Sequence, residues 1–156
     1  MAELIENLSD YKIQKADFAD KYFSVVMRHP ELLLKTACEY WYNENTGIVT
    51  SVKPVYLVET EEEREAARAA METALQEYLE LAEGYSNDVE KLIVIHDKMV
   101  ADCVYDERVL KEETKEEAPD TVYHALGVLR DKKAVCQGYS QALYMIGKRL
   151  GIELDF

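Results

Sequence analysis

Along most of the chain the apolar positions recur at helical spacing, and one stretch breaks that rhythm. Phe18, Tyr22, Val25 and Val26 predict an amphipathic helix over about 16–28. Pro30 stops it, because the residue before a proline, here His29, avoids helical dihedral angles. Residues 1–12 are polar and mixed and predict a loop or a short helix. Leu32-Leu33-Leu34 suits a helix or an extended chain equally. The rhythm changes at Glu39-Tyr40-Trp41-Tyr42 and again over Ile48–Val58, which is dominated by Val, Ile, Thr and Tyr. Asn43-Glu44-Asn45-Thr46-Gly47 between them carries turn chemistry, so a β-hairpin is predicted. Pro54 confines the second strand to an edge or forces a bulge. The aromatic cluster is expected to pack on the helices rather than to line a ligand groove.

Thr60 and Glu63 have the spacing of a capping box, and a long helix is expected from there to about Glu83, before Gly84. Its buried stripe is Ala67, Met71, Ala74, Leu75, Tyr78 and Ala82. Glu61-Glu62-Glu63 suits the positive end of the helix dipole and reads as a solvated face, not a metal site. Asn87 and Glu90 repeat the capping pattern ahead of a helix over about 88–103. There Val89, Leu92, Ile93, His96, Met99, Val100 and Cys103 form one stripe, expected to face the core. Residues 106–120 are crowded with Glu and Lys and predict an exposed, mobile loop closed by Pro119. A short helix through Tyr123, Ala125, Leu126 and Leu129 follows, capped by Asp120 or Thr121, and Asp131-Lys132-Lys133 turns the chain. The last helix covers about 137–150, with Tyr139, Ala142, Leu143, Ile146 and Leu150 on its apolar face and Gly151 as its stop. The elements predict an α+β fold, mainly helical with a small antiparallel hairpin. Residues 1–84 form an N-terminal part and 85–156 a second part.

Composition narrows the function classes. The 156 residues, 48% hydrophobic and 31% charged, suit a globular chain with one real core. A net charge of −13 disfavours nucleic acid, whose phosphates need a basic surface, and anionic membranes. No apolar run approaches the ~18–20 residues of a membrane span. No signal peptide is visible, which leaves localisation open. Cys38, Cys103 and Cys136 are widely spaced, with no Cys-x-x-Cys pair, so no metal site is expected. No glycine-rich phosphate loop is present, and no cofactor is expected.

The candidate chemistry sits at Cys136. A cysteine at the entry of a helix meets unpaired backbone N–H groups and the positive dipole end, which favour a thiolate. The same N–H groups can hold the oxyanion of an acyl-transfer intermediate. Read from residues alone, the alternative is a buried structural cysteine capping a core helix. The stretch Ala134-Val135-Cys136-Gln137-Gly138-Tyr139, with Gly127 and Leu129 before it and Leu150-Gly151-Ile152 after it, resembles the transglutaminase-like cysteine hydrolases. Ile95-His96-Asp97 and Tyr105-Asp106 match the helix and Tyr-Asp pair that often precede that motif, so the resemblance covers about residues 88–152.

The resemblance implies a papain-like fold with Cys136 as nucleophile, supported by Gln137, Gly138 and Tyr139, acting on a peptide or protein substrate. It does not choose between protease, transglutaminase and deamidase. The family's histidine and aspartate lie after the cysteine, whereas no histidine follows Cys136 here. The expectation is therefore the N-terminal half of a papain-like core, or a degenerate relative, inactive alone. His96 and His124 are the local candidates for a base. Without the family's later sheet, apolar residues such as Leu143 and Ile146 would seek cover by forming a homo-oligomer. Two other classes compete: a non-catalytic helical interaction module, and a thiol redox sensor using Cys136 with Cys103.

Overall fold

The computed structural model describes residues 3–155, which pack as two compact units divided at Glu61–Glu62. In the first, α1 spans Lys15–Arg28, β1 Leu34–Tyr42 and β2 Val49–Tyr56, with 3-10 turns at Leu8–Tyr11 and Pro30–Leu32. The strands pair antiparallel, as the turn residues dictate. Asn43 Oδ1 accepts the N–H groups of Asn45 at 2.9 Å and Thr46 at 3.1 Å, and Gly47 N–H reaches Asn43 O at 2.8 Å. Pro54 has no N–H to give the ladder, and the register slips beside it, between the Leu34–Tyr56 and Cys38–Pro54 pairs. Residues near the N-terminus border β2. Ile5 N–H reaches Val52 O at 2.8 Å, and Val49 N–H reaches Ile13 O at 2.9 Å. Of the aromatic cluster, Tyr40 and Tyr42 pack against the α1 core, with the Tyr40 ring 4.3 Å from Phe18 and Val49 and Val52 beside it, while Trp41 is exposed. The Leu32–Leu34 run divides: Leu32 ends a turn, Leu33 takes left-handed geometry at φ 54° and is fully buried, and Leu34 opens β1.

In the second unit, α2 spans Glu61–Ala82, α3 Asp88–Asp102 and α4 Cys136–Arg149. Two short strands, β3 (Val104–Tyr105) and β4 (Lys133–Ala134), pair in parallel, a ladder the sequence pattern did not announce. All six predicted stripe residues of α2 are buried, and Arg64 is buried with them. Asn87 caps α3, its side chain accepting the Glu90 N–H at 2.9 Å. The chain is thus α+β, mainly helical with a small antiparallel hairpin. No helix among the described residues is long and apolar enough to cross a membrane.

The phase of α3 corrects one expectation. Ile95, Met99 and Cys103 are buried, but the His96 side chain is 65% exposed, and Val89, Ile93 and Val100 are exposed with it. The helix carries apolar residues on two overlapping stripes, each with helical spacing, and only the 95–99–103 stripe is covered. A second correction concerns 106–120. The segment is largely exposed, yet it forms 3-10 turns at Glu107–Leu110 and Lys115–Glu117 that Arg108 ties together, Nη1 reaching Glu117 O at 3.0 Å. The short helix expected next is instead a 3-10 turn, Asp120–Tyr123, and a π turn, Gly127–Asp131. Of its expected apolar residues Ala125, Leu126 and Leu129 are buried all the same, whereas Tyr123 is exposed.

Candidate functional site

The backbone before α4 lies between two neighbours. On one side β3 runs alongside, with Val104 N–H on Lys132 O and Asp106 N–H on Ala134 O, both at 2.9 Å. On the other, Val135 N–H reaches Val122 O at 2.9 Å. Held this way, Val135 is the N-cap in extended geometry and Cys136 is the first residue of α4, with its thiol exposed. Val135 supplies no side-chain acceptor, and the first bond back into the helix entry is Tyr139 N–H to Val135 O at 3.1 Å. The N–H groups of Cys136, Gln137 and Gly138 therefore have no carbonyl one turn earlier within the helix.

The next residues lock this geometry. Gly138 is buried, and a Cβ there would lie 2.7 Å from Val122 O and 2.9 Å from His124 O, so the first turn lies flat on those carbonyls only because the side chain is hydrogen. Tyr139 OH donates to Cys103 O at 2.6 Å, and burial, with the neighbouring Cys103 thiol, raises the phenol's pKa well above its ordinary value. Gln141, fully buried, accepts the Ala125 N–H on Oε1 at 2.7 Å. Gln141→Leu leaves that buried N–H without its acceptor and is expected to cost ~1–3 kcal/mol, read as a lower urea midpoint with unchanged m-value.

Beside the entry, Asp106 is fully buried. Its carboxylate accepts Arg108 Nη2 at 2.6 Å and Nε at 2.9 Å, with Lys133 Nζ at 3.7 Å. The Arg108 guanidinium holds the Asp106 pKa down, at about 2. Through Lys133 and through its own N–H on Ala134 O, Asp106 fastens the start of the 106–120 segment to β4, which ends two residues ahead of Cys136.

Cys136, the half-buried Gln137, Gly138 and Tyr139 thus come together at one helix entry. The two histidines stand differently. His124 is 2% exposed and lends its backbone carbonyl to the surface under Gly138. Its Nδ1 accepts the Leu126 N–H at 3.0 Å, so that nitrogen takes up a proton only by giving up the bond. His96 lies on the exposed side of α3, where Nδ1 meets Asp97 Oδ1 at 3.1 Å. No hydrogen bond joins Cys136 Sγ to either imidazole among the described residues. Burial pushes both the half-buried Cys38 and the buried Cys103 up in pKa. No group of three potential metal ligands occurs among the described residues.

Sequence reasoning missed Gln141, and it named Asp106 only in the Tyr105-Asp106 pair of the resemblance, without its buried ion pair. Gln141 had a usable signal, being a polar residue beside Ala142 and three positions after Gly138 on a helix otherwise read by its apolar face. Asp106 had a fainter one, an acid two residues before an arginine, the spacing of a side-chain-capped turn. No known protein family, curated protein or solved structure matches the chain significantly, so the reading of this site rests on its own residues.

Proposed function

We propose that Cys136 is the nucleophile of a cysteine acyl-transfer site of the transglutaminase-like, papain-like type that its motif resembles. The observation that carries this is an exposed thiol on the first residue of a helix whose entry is fixed by Gly138, Tyr139 and Gln141. In the reaction, the sulfur of Cys136 bonds to the carbonyl carbon of a peptide amide, and the oxyanion is met by the first-turn N–H groups. The C–N bond breaks, the amine leaves with a proton, and the thioester passes its acyl group to water or to an amine. The proton step needs a general acid–base, worth ~10²–10⁴-fold, and neither His96 nor His124 is bonded to Cys136. Residues 1–156 alone are therefore expected to be alkylated at Cys136 without turning over amides.

The test is iodoacetamide labelling followed residue by residue by mass spectrometry, with peptide-amide hydrolysis and amine incorporation assayed in parallel. Cys136 is expected to label faster than glutathione at pH 6, ahead of Cys38 and Cys103. Labelling slower than glutathione would remove the nucleophile. Turnover lost in both Cys136→Ala and His124→Ala would show His124 to be a working base. A non-catalytic interaction module is the second reading, favoured by the exposed apolar residues of α3, Val89 at 67%, Ile93 at 53% and Val100 at 58%.

A further inference from the structure

The first unit contains a cleft of about 260 Å³ that none of the chemistry above uses. Phe18, Tyr22 and Val25 of α1 form one wall, and Leu34 and Val52 of the hairpin form the other. It opens beside Pro54, where the slipped register keeps the start of β1 from following β2 evenly. Its surroundings include large apolar side chains left in the open: Ile5 is 49% exposed, Val25 45% and Leu32 40%. The lining contains a single cation, Lys21, one helical turn before Val25. Lys21 makes no ion pair among the described residues, although Asp17 stands four positions earlier on the same helix.

We propose that this cleft binds a small amphipathic carboxylate, a short fatty or arylalkyl acid, with its tail between α1 and the hairpin and its carboxylate on Lys21. Three features select that class. The volume lies just under the ~300–1,000 Å³ of drug-sized sites, which suits a fragment rather than a folded partner or a long lipid. The walls offer aliphatic and aromatic carbon, which favours a hydrocarbon tail. Lys21 lines an almost wholly apolar slot, so its stem can lie along the tail while its ammonium stays in water to meet an anion. In a chain of net charge −13 an anionic ligand has to be drawn in by such a local cation, since the overall field repels it.

The experiment compares octanoate, 1-octanol and octylammonium on the full chain, each below its micelle concentration, by calorimetry and by NMR shift mapping. Octanoate is expected to bind saturably at one site and to shift residues of α1 and β2. It should bind about fivefold tighter than octanol, the scale of one exposed ion pair, with octylammonium weakest. Lys21→Glu should reverse the order of octanoate and octylammonium and leave octanol unchanged. Val25→Trp should fill the slot and abolish all three while circular dichroism shows the fold intact. Equal affinity for the three probes, an order unchanged by Lys21→Glu, or no saturable binding would each overturn the proposal. So would self-association that octanoate fails to reverse, or sedimentation with anionic vesicles in place of saturable binding, since the cleft would then serve a second copy or a lipid surface.

Discussion

Gly127→Ala is expected to destabilise the second unit by about 3 kcal/mol and to displace the entry to α4. A Cβ at residue 127 would collide with the carbonyl oxygen of Thr121 and stand 2.8 Å from that of Lys133. Both obstacles are backbone atoms, and neither swings aside as a side chain does. Thr121 belongs to the 3-10 turn that precedes His124, and Lys133 belongs to β4, which delivers the chain to Cys136. Relief of the clash therefore separates the two segments that clasp the nucleophile's helix. The measurement is urea unfolding followed by circular dichroism, with iodoacetamide labelling of Cys136 on the same samples. Gly84→Ala is the control, because its Cβ would meet nothing nearer than Leu81 O at 3.8 Å. Equal urea midpoints for the two variants would refute the argument.

Asp106→Asn is expected to cost ~3 kcal/mol at neutral pH, the lower end of the range for breaking a buried ion pair. The lower end applies because Arg108 and Lys133, with side chains 34% and 42% exposed, regain water when the carboxylate is lost. The acid limb gives a sharper signature. The Asp106 pKa is about 2 in the fold against an ordinary 3.8, so the native state binds that proton less readily than the unfolded chain. Its contribution is then fully present above about pH 4 and disappears as pH falls through about 2, an amount on the order of 2 kcal/mol. The gap between wild type and Asp106→Asn should accordingly narrow between pH 5 and pH 2. Taking the difference removes the other carboxylates that titrate there, such as Glu72, whose pKa Arg149 also lowers. A gap of constant size across that range would mean that the aspartate matters through its shape and not through its charge.

Much of the local structure was legible in the residues. Asn43 to Gly47 specify a turn whatever surrounds them, because the Asn43 carboxamide bonds to N–H groups only two and three residues away. The α2 stripe was legible because alanines and glutamates leave one apolar face, so its phase has a single solution. The placement of Cys136 at the first residue of α4 followed from the glycine two positions later and the apolar repeat beyond it. The α3 helix shows where such reasoning fails. Its start was marked by Asn87, but Leu92, Ile95, Met99 and Cys103 compete with Val89, Ile93, His96 and Val100 for one buried face, and periodicity cannot choose between two stripes of equal spacing. His96 was assigned inward on that account and stands outside.

The sequence by itself determined the helices, the hairpin, the cap at Asn87 and the cysteine at a helix entry. Each depends on contacts between residues a few positions apart, and short-range geometry is the same in any surroundings. The tertiary structure alone decided which side of α3 is covered, that β3 and β4 pair in parallel, and that Asp106 closes on both Arg108 and Lys133. It also decided that Gln141 takes up the Ala125 N–H and that His124 turns its ring to Leu126 instead of to Cys136. Most of these join segments distant in sequence. The approach of a β4 carbonyl to within 2.8 Å of a Cβ position at residue 127, or of the Cys103 carbonyl to within 2.6 Å of the Tyr139 hydroxyl, leaves no periodic trace in the chain. Such contacts are set by how buried backbone groups find partners once the elements have packed.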